Sequence, residues 1–194
     1  MKTKLASVFL LTNLVIGAGV AHADRYQDVT DLFMHSGQSA SYFSNSYGYA
    51  VFPTVGKGGL GVGAAHGTGR VYEQGRYIGD TAMTQVSFGL QAGGQAYSEI
   101  VFFQDERALK EFTSGHFEFG AGVNAVAITA AAGASTGTRG SQASANAGKN
   151  ATNAGGYYKG VAVFTVVKGG AMYEASISGQ KFSYTPADKS VATK

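Results

Sequence analysis

Cysteine is absent from the 194-residue chain, and proline occurs only twice. Without cysteine the protein can have neither disulfide bridges nor thiolate-bound metal, so its stability must come from packing. An excess of one charge is also lacking, because 15 basic residues stand against 12 acidic ones. This balance gives no sign of a nucleic-acid-binding surface.

The first 23 residues have the pattern of a secretory signal peptide. Lys2 and Lys4 form a basic start, residues 5–20 an apolar run, and Ala21-His22-Ala23 a small-x-small cleavage site. We therefore expect an exported protein that is periplasmic, peripheral to the outer membrane or secreted. Its mature chain has 13 basic and 12 acidic residues. A retained N-terminal anchor helix is the alternative.

The remaining length fits one domain, which we place at residues 24–186. Glycine is its compositional outlier, with 29 residues and no collagen-like period. Within the domain, residues 136–156 are rich in Ser, Gly, Ala and Asn and predict a flexible loop. Residues 187–194 are expected to form a frayed tail.

Helical and extended patterns follow one another along this domain. An interrupted apolar spacing over residues 24–47 predicts one or two short N-terminal helices. Asp105 is placed to cap one internal helix, and Gly115 to end it. The other segments have a period of two, with a hairpin turn at Gln74-Gly75 and a closing hairpin predicted over residues 173–184.

Two of the predicted strands are amphipathic. In the first, apolar residues alternate with glycine, so the opposite face is nearly bare. In the second, apolar residues alternate with glutamine and serine. The apolar positions are Leu60, Val62, Ala64, Val86, Phe88 and Leu90, and the polar ones are Gln85, Ser87 and Gln91.

A near repeat links the two halves of the chain: AVFPTVGKGG at residues 50–59 returns as AVFTVVKGG at residues 162–170. The spacing from Lys57 to Arg70 equals that from Lys168 to Lys181. A duplicated strand, Lys-Gly-Gly corner and hairpin is the structural explanation. The predicted fold is therefore α+β, with short N-terminal helices, one internal helix and a mainly antiparallel, strongly curled or barrel-like sheet containing this pseudo-duplicated unit.

The chain resembles the SYLF domain over residues 26–184. The resemblance rests on four motifs in this order: GYAVFPTVGKGGLGVGAAHGTGRVY, SFGLQAGGQAYSEIVFF, DERALKEF and KGVAVFTVVKGGAMYEASISGQKFSY. The SYLF domain is the lipid-binding or actin-binding domain related to the yeast actin-patch SH3 protein, here in an exported bacterial form. The resemblance implies binding of phospholipids or a bilayer surface, with actin binding in some members. Because an exported chain does not meet actin, we expect no actin partner.

Four basic residues are candidates for contact with lipid head groups. They recur at matched spacing, and the glycines beside them leave backbone N–H groups open to a phosphate. The alternative is that each is an ordinary surface residue that only solubilises a strand end. The candidates are Lys57, Arg70, Lys168 and Lys181.

An apolar stripe near the N-terminus is the second candidate contact, as a membrane-facing surface. Its alternative is a stripe that packs into the core. Arg25 is the single base among residues 24–49, so the basic face expected of a helix on an anionic surface is missing. The stripe consists of Val29, Leu32, Phe33 and Phe43.

No catalytic, cofactor or metal site is predicted. The glycine run at residues 59–63 lacks the spacing of a dinucleotide fingerprint. Residues 133–137 match G-x-S-x-G, but no His follows them. His35, His66 and His116 fall in three separate elements. We therefore expect no enzyme activity.

Two functions remain open. The first is a non-enzymatic phospholipid- or membrane-surface-binding domain of the cell envelope. The second is a small outer-membrane β-barrel or a structural envelope protein, suggested by the signal peptide, the strand alternation, the glycines and the 11 Tyr and 12 Phe. The predicted helices and continuous apolar runs such as VAVFTVV favour the first. The lipid and the oligomeric state are left open.

Overall fold

The structure is a computed structural model that describes residues 18–36, 38–119, 126–127 and 156–190. Most of the predicted 136–156 loop therefore lies outside the described residues. The elements are α1 Ala18–Met34, α2 Ala40–Asn45, β1 Gly48–Glu73, β2 Arg76–Phe103, α3 Glu106–Glu111 with a π turn Phe112–His116, β3 Glu118–Phe119, β4 Val126–Ala127, β5 Val161–Pro186 and α4 Ala187–Ser190.

Three long antiparallel strands build the sheet. β1 pairs with β2 from Gly48 opposite Phe103 to the turn, and β2 pairs with β5 from Phe103 opposite Val161 to Gly79 opposite Pro186. β3 and β4 add two-residue contacts to β5, with β4 parallel. The prediction of a mainly antiparallel sheet with short helices is confirmed. Among the described strands the order β1-β2-β5-β3 does not close on itself, so the strongly curled or barrel-like detail of the prediction is not supported.

Local signals in the sequence set the turns and caps. Gln74 and Gly75 have φ of 49° and 80° and join β1 to β2. The Asp105 side chain accepts a hydrogen bond from the N–H of Ala108 at 2.8 Å, and Gly115 leaves the helical conformation with φ of 80°, one residue before the segment ends at His116. Because each of these features needs only neighbouring residues, the predicted hairpin and capped helix are confirmed.

The two chain ends of the described region are helical. α1 begins at Ala18 and continues to Met34, so it crosses the expected cleavage site after Ala23. That cleavage and the domain boundaries stay predictions. At the other end, Ala187–Ser190 of the expected frayed tail form α4.

Neither Lys-Gly-Gly segment is a corner. Lys57 to Gly59 run within β1, and Lys168 to Gly170 run within β5. The two backbones also differ, because Gly170 has a positive φ of 97° whereas Gly59 does not. Both segments nevertheless lie in strands that flank β2, so the repeat marks like positions in the sheet.

The closing hairpin predicted over residues 173–184 is wrong. β5 continues through this segment, and its residues pair with β2 in an unbroken register from Gly169 to Pro186. The predicted turn does not form because the long neighbouring strand offers a backbone partner at each position.

β1 bends back near Gly61, whose φ is 72°. A Cβ at Gly67 would lie 2.7 Å from Cγ2 of Val55, and one at Gly69 would lie 2.7 Å from the ring of Phe52. Only glycine leaves room for the two halves of β1 to approach this closely. The nearly bare face of the strand is therefore its inner face.

The core consists of two apolar clusters. Alternate residues of the strands supply them, so the clusters lie on opposite faces of the sheet. One contains Phe52 and Phe103 with Leu109 of α3. The other contains Phe102 and Phe164, and α1 and α2 cover it. The helices thus bury one end of the sheet and leave the bent end of β1 uncovered.

Candidate functional site

Two of the four candidate basic residues flank the same stretch of β2, one from β1 and one from β5. Lys57 pairs with Gln95, and Lys168 lies in the bulge opposite Ala96 and Tyr97. The Lys168 Nζ donates hydrogen bonds to the carbonyl oxygen of Pro53 at 2.9 Å and to Thr54 Oγ1 at 3.3 Å. Its side chain therefore reaches across β2 toward the strand that carries Lys57.

Arg70 is held in a different environment. Its Cζ lies 4.4 Å from the ring centroid of Tyr26 and 5.2 Å from that of Tyr77, and its Nε lies 3.8 Å from Oδ1 of Asp80. The Arg70 side chain is only 29% exposed. These contacts fasten α1 to the sheet. A head-group role for Arg70 stays a prediction.

Lys181 is also separate from the two lysines at the bulge. It pairs with Thr84 of β2, eleven positions from Gln95, and its Nζ lies 3.0 Å from Oε1 of Glu118. Matched spacing along the chain does not bring the four bases together, because 13 strand positions separate the two bases of β1 and the two bases of β5. A head-group role for Lys181 likewise stays a prediction.

The apolar stripe of α1 and α2 faces the core, which corrects its placement as a membrane-facing surface. Val29 and Phe33 are buried, and Leu32 and Phe43 pack against the same cluster. The ring centroid of Phe43 lies 4.9 Å from that of Phe102. The physical reason is that an amphipathic helix lowers its free energy by burying its apolar stripe on the sheet.

Sequence reasoning missed a different apolar surface, at the bent end of the sheet. Val62 pairs with Phe88 across β1 and β2, and Leu90 lies in the stretch of β2 between two register segments. Relative exposure of these side chains runs from 43% to 83%. The surface, called the apolar face below, consists of Leu60, Val62, Val86, Phe88 and Leu90.

Polar side chains lie buried behind the apolar face. Ser87 Oγ donates to Gln91 Oε1 at 2.8 Å, and Gln91 Nε2 donates to the carbonyl oxygens of Gly61 at 3.0 Å and Ser87 at 2.9 Å. Gln85 is buried as well. This end of the sheet is therefore inverted, with apolar groups outside and polar groups inside. The strand alternation contained the signal, but the usual rule assigns the apolar side to the core.

Glu99 is a further buried polar residue, located between these polar side chains and the apolar core. Gln180 Nε2 donates to Glu99 Oε2 at 3.3 Å and to Gln85 Oε1 at 3.1 Å. Within the described part of the chain, Glu99 Oε1 has no hydrogen-bond partner. Burial raises the pKa of Glu99 to about 7, against the opposing effects of the Gln180 hydrogen bond and the positive charge of Lys57. The burial of Glu99 was not predictable from the sequence, because a lone acid in a strand is usually exposed.

Helices and histidines in the described ranges offer few other functional features. None of these helices combines the length and apolar content needed to cross a bilayer. The same residues contain no group of three or more His, Asp or Glu that could hold a metal ion. His66 Nδ1 lies 3.5 Å from Thr84 Oγ1, and His35 Nδ1 lies 2.7 Å from the carbonyl oxygen of Asp31.

A family model described as Ysc84, Las17-binding protein actin regulator, matches residues 84–188. The match covers more than half of the chain and runs from β2 to α4. The chain belongs to the Ysc84 family. The resemblance to the SYLF domain is thereby confirmed. The searches with this chain found no match among curated proteins and none among solved structures.

The Ysc84 match covers only part of the candidate site. It includes Lys168, Phe88 and Glu99, whereas Lys57 and Leu60 lie N-terminal to it. Membership is consistent with a lipid- or actin-related binding domain in a family that is generally non-catalytic.

Proposed function

We propose that this protein is a non-enzymatic domain that binds the surface of phospholipid bilayers in the cell envelope. The observation that supports this function is that Lys57 and Lys168 flank one stretch of β2, at the end of the sheet that carries the apolar face. Cationic groups beside exposed apolar groups match the two chemical layers of an anionic bilayer surface.

Electrostatic attraction alone gives weak binding. A Lys near an anionic membrane contributes about 1 kcal/mol, so two lysines contribute about 2 kcal/mol, or roughly a thirtyfold gain in affinity. The attraction fades beyond a Debye length of about 8 Å at physiological salt. Binding is therefore salt-sensitive and needs an apolar contribution as well.

Actin is the other ligand class that the family description suggests. The basic start and small-x-small site of residues 1–23 support export from the compartment that contains actin. Lipid is therefore the proposed partner, and the location is the periplasm or the periphery of the outer membrane.

Co-sedimentation with vesicles tests this function. The chain lacking residues 1–23 is mixed with phosphatidylglycerol–phosphatidylcholine vesicles and with phosphatidylcholine vesicles, at low and physiological salt. We expect sedimentation with the anionic vesicles that weakens as salt rises. The Lys57→Gln/Lys168→Gln variant should bind less than wild type.

The control is Lys110→Gln/Lys159→Gln, which removes the same charge from two exposed lysines elsewhere. It should bind like wild type, and circular dichroism should show that both variants are folded. Failure of the wild-type protein to sediment with anionic vesicles at low salt would rule out the proposed function.

A further inference from the structure

We infer that the apolar face is a bilayer-inserting site, which places Leu60, Phe88 and Leu90 among the acyl chains of phospholipids. This inference rests on the proposed membrane function. It goes further because it assigns contact to the hydrocarbon as well as to the head groups, and because it assigns this contact to strands instead of the N-terminal helices.

The inverted polarity of the bent end is the first support. Exposed apolar clusters on a protein surface mark contacts with other molecules. Here the polar groups of Ser87 and Gln91 are turned inward and hydrogen-bonded to each other. Apolar groups outside and satisfied polar groups inside suit an apolar solvent, as in proteins that expose strands to lipid.

The distribution of charge is the second support. Residues 58–65 of β1 and 84–98 of β2 contain no charged side chain. Lys57 and Lys168 lie at the border of this region, where long basic side chains can reach phosphates. Between Lys168 and Lys181, β5 contains a single charged residue, Glu174, which is in register with Gln91. Because a charge in hydrocarbon is costly, a nearly uncharged end bordered by lysines fits a lipid partner.

Backbone pairing is the third support. A strand enters hydrocarbon only if its N–H and C=O groups have partners. β2 carries Val86, Phe88 and Leu90 and is paired with β5 at each of these positions. At the bend, Gln91 satisfies the carbonyl of Gly61. Through the apolar face the backbone of β2 is therefore paired with β5, and it is paired with β1 up to Phe88 and again from Ala92.

A single tryptophan tests insertion directly, because the natural sequence contains none. In the Phe88→Trp variant, we expect a blue shift of tryptophan emission on addition of phosphatidylglycerol–phosphatidylcholine vesicles, and quenching by lipids brominated on their acyl chains. The control is Tyr158→Trp, just before the start of β5 and far from the apolar face, where neither effect is expected.

Loss of apolar groups gives a second readout. Leu60→Ser/Leu90→Ser should lower vesicle partitioning about tenfold or more, because two exposed leucines would no longer leave water on binding. Met34→Ser removes an exposed apolar residue of α1 and should leave partitioning unchanged. Urea unfolding should show that the variants are as stable as wild type, because the replaced side chains are exposed.

The outcomes separate the two proposals. If wild type does not sediment with vesicles, the proposed function fails. If it sediments but the tryptophan at position 88 is neither shifted nor quenched, binding is confined to the head groups and insertion is overturned. If the serine variant instead converts an oligomer to a monomer without lipid, the apolar face is an interface between copies, which also overturns insertion.

Discussion

Among individual residues, Glu99 has the most perturbed environment of the described acids. It is fully buried beside Gln180, and burial raises its pKa from 4.5 to about 7. In the unfolded chain the same carboxyl ionises near its ordinary pKa. The folded state therefore holds the proton more tightly, and this stabilisation is present below pH 4.5 and is lost as pH rises to about 7.

The replacement Glu99→Gln should remove this pH dependence. A shift from 4.5 to about 7 corresponds to about 3 kcal/mol. Relative to wild type, the variant should become progressively more stable between pH 4.5 and 7, by a few kcal/mol, and the difference should then stay constant. Urea unfolding at a series of pH values measures it. If the unfolding free energies of the two proteins changed with pH in parallel, Glu99 would not be the group that causes the pH dependence.

The site residues were only partly predictable from sequence. The Lys-Gly-Gly repeat places Lys57 and Lys168 at like positions on either side of β2, and their contact with head groups stays a prediction. The same repeat suggested that Arg70 and Lys181 would join them, yet each has its own acidic partner elsewhere. Equal spacing along the chain predicts which residues lie close together only when the pairing of the strands is known.

For secondary-structure elements, β1 shows how glycine permits a close approach. Its two halves lie against each other after the bend at Gly61, and Gly69 lies against Phe52. The Gln74-Gly75 turn and the Asp105 cap were predictable from the sequence, because each depends only on neighbouring residues. The continuation of β5 through residues 173–184 was not predictable, since it depends on pairing with β2, far away in the chain.

Adding one methyl group tests the packing of β1. In Gly69→Ala, the new Cβ would lie 2.7 Å from the Phe52 ring and 2.8 Å from the carbonyl oxygen of Val51, so one of them must move. We expect a loss of about 1–3 kcal/mol in unfolding free energy, measured by urea denaturation.

The matched control is Gly56→Ala in the same strand, where a Cβ meets nothing within 4 Å. It should leave stability unchanged or raise it by about 0.4–1 kcal/mol through the lower entropy of the unfolded chain. Equal stability of the two alanine variants would argue against the close approach of the halves of β1.

In the whole molecule, the two ends of the long sheet differ in polarity. Helices α1 and α2 cover the end that contains Phe102 and Phe164, whereas the apolar face is exposed at the other. The inversion was not predictable from alternation alone, because a period of two separates two faces without saying which is inside. Glycine on the opposite face of β1 decides it, since only that face can be packed closely.

This polarity predicts an orientation at the bilayer, with the apolar face inserted and the helices directed away from it. Because the chain lacks cysteine, a nitroxide can be attached at a single introduced site, Leu90→Cys, with Tyr158→Cys as its control. Power-saturation electron paramagnetic resonance then compares collisions with oxygen and with a water-soluble nickel chelate. With anionic vesicles, we predict that the label at position 90 gains oxygen collisions and loses nickel collisions, while position 158 does not change. Equal nickel access at position 90 with and without vesicles, in protein that has sedimented with them, would contradict insertion of the apolar face.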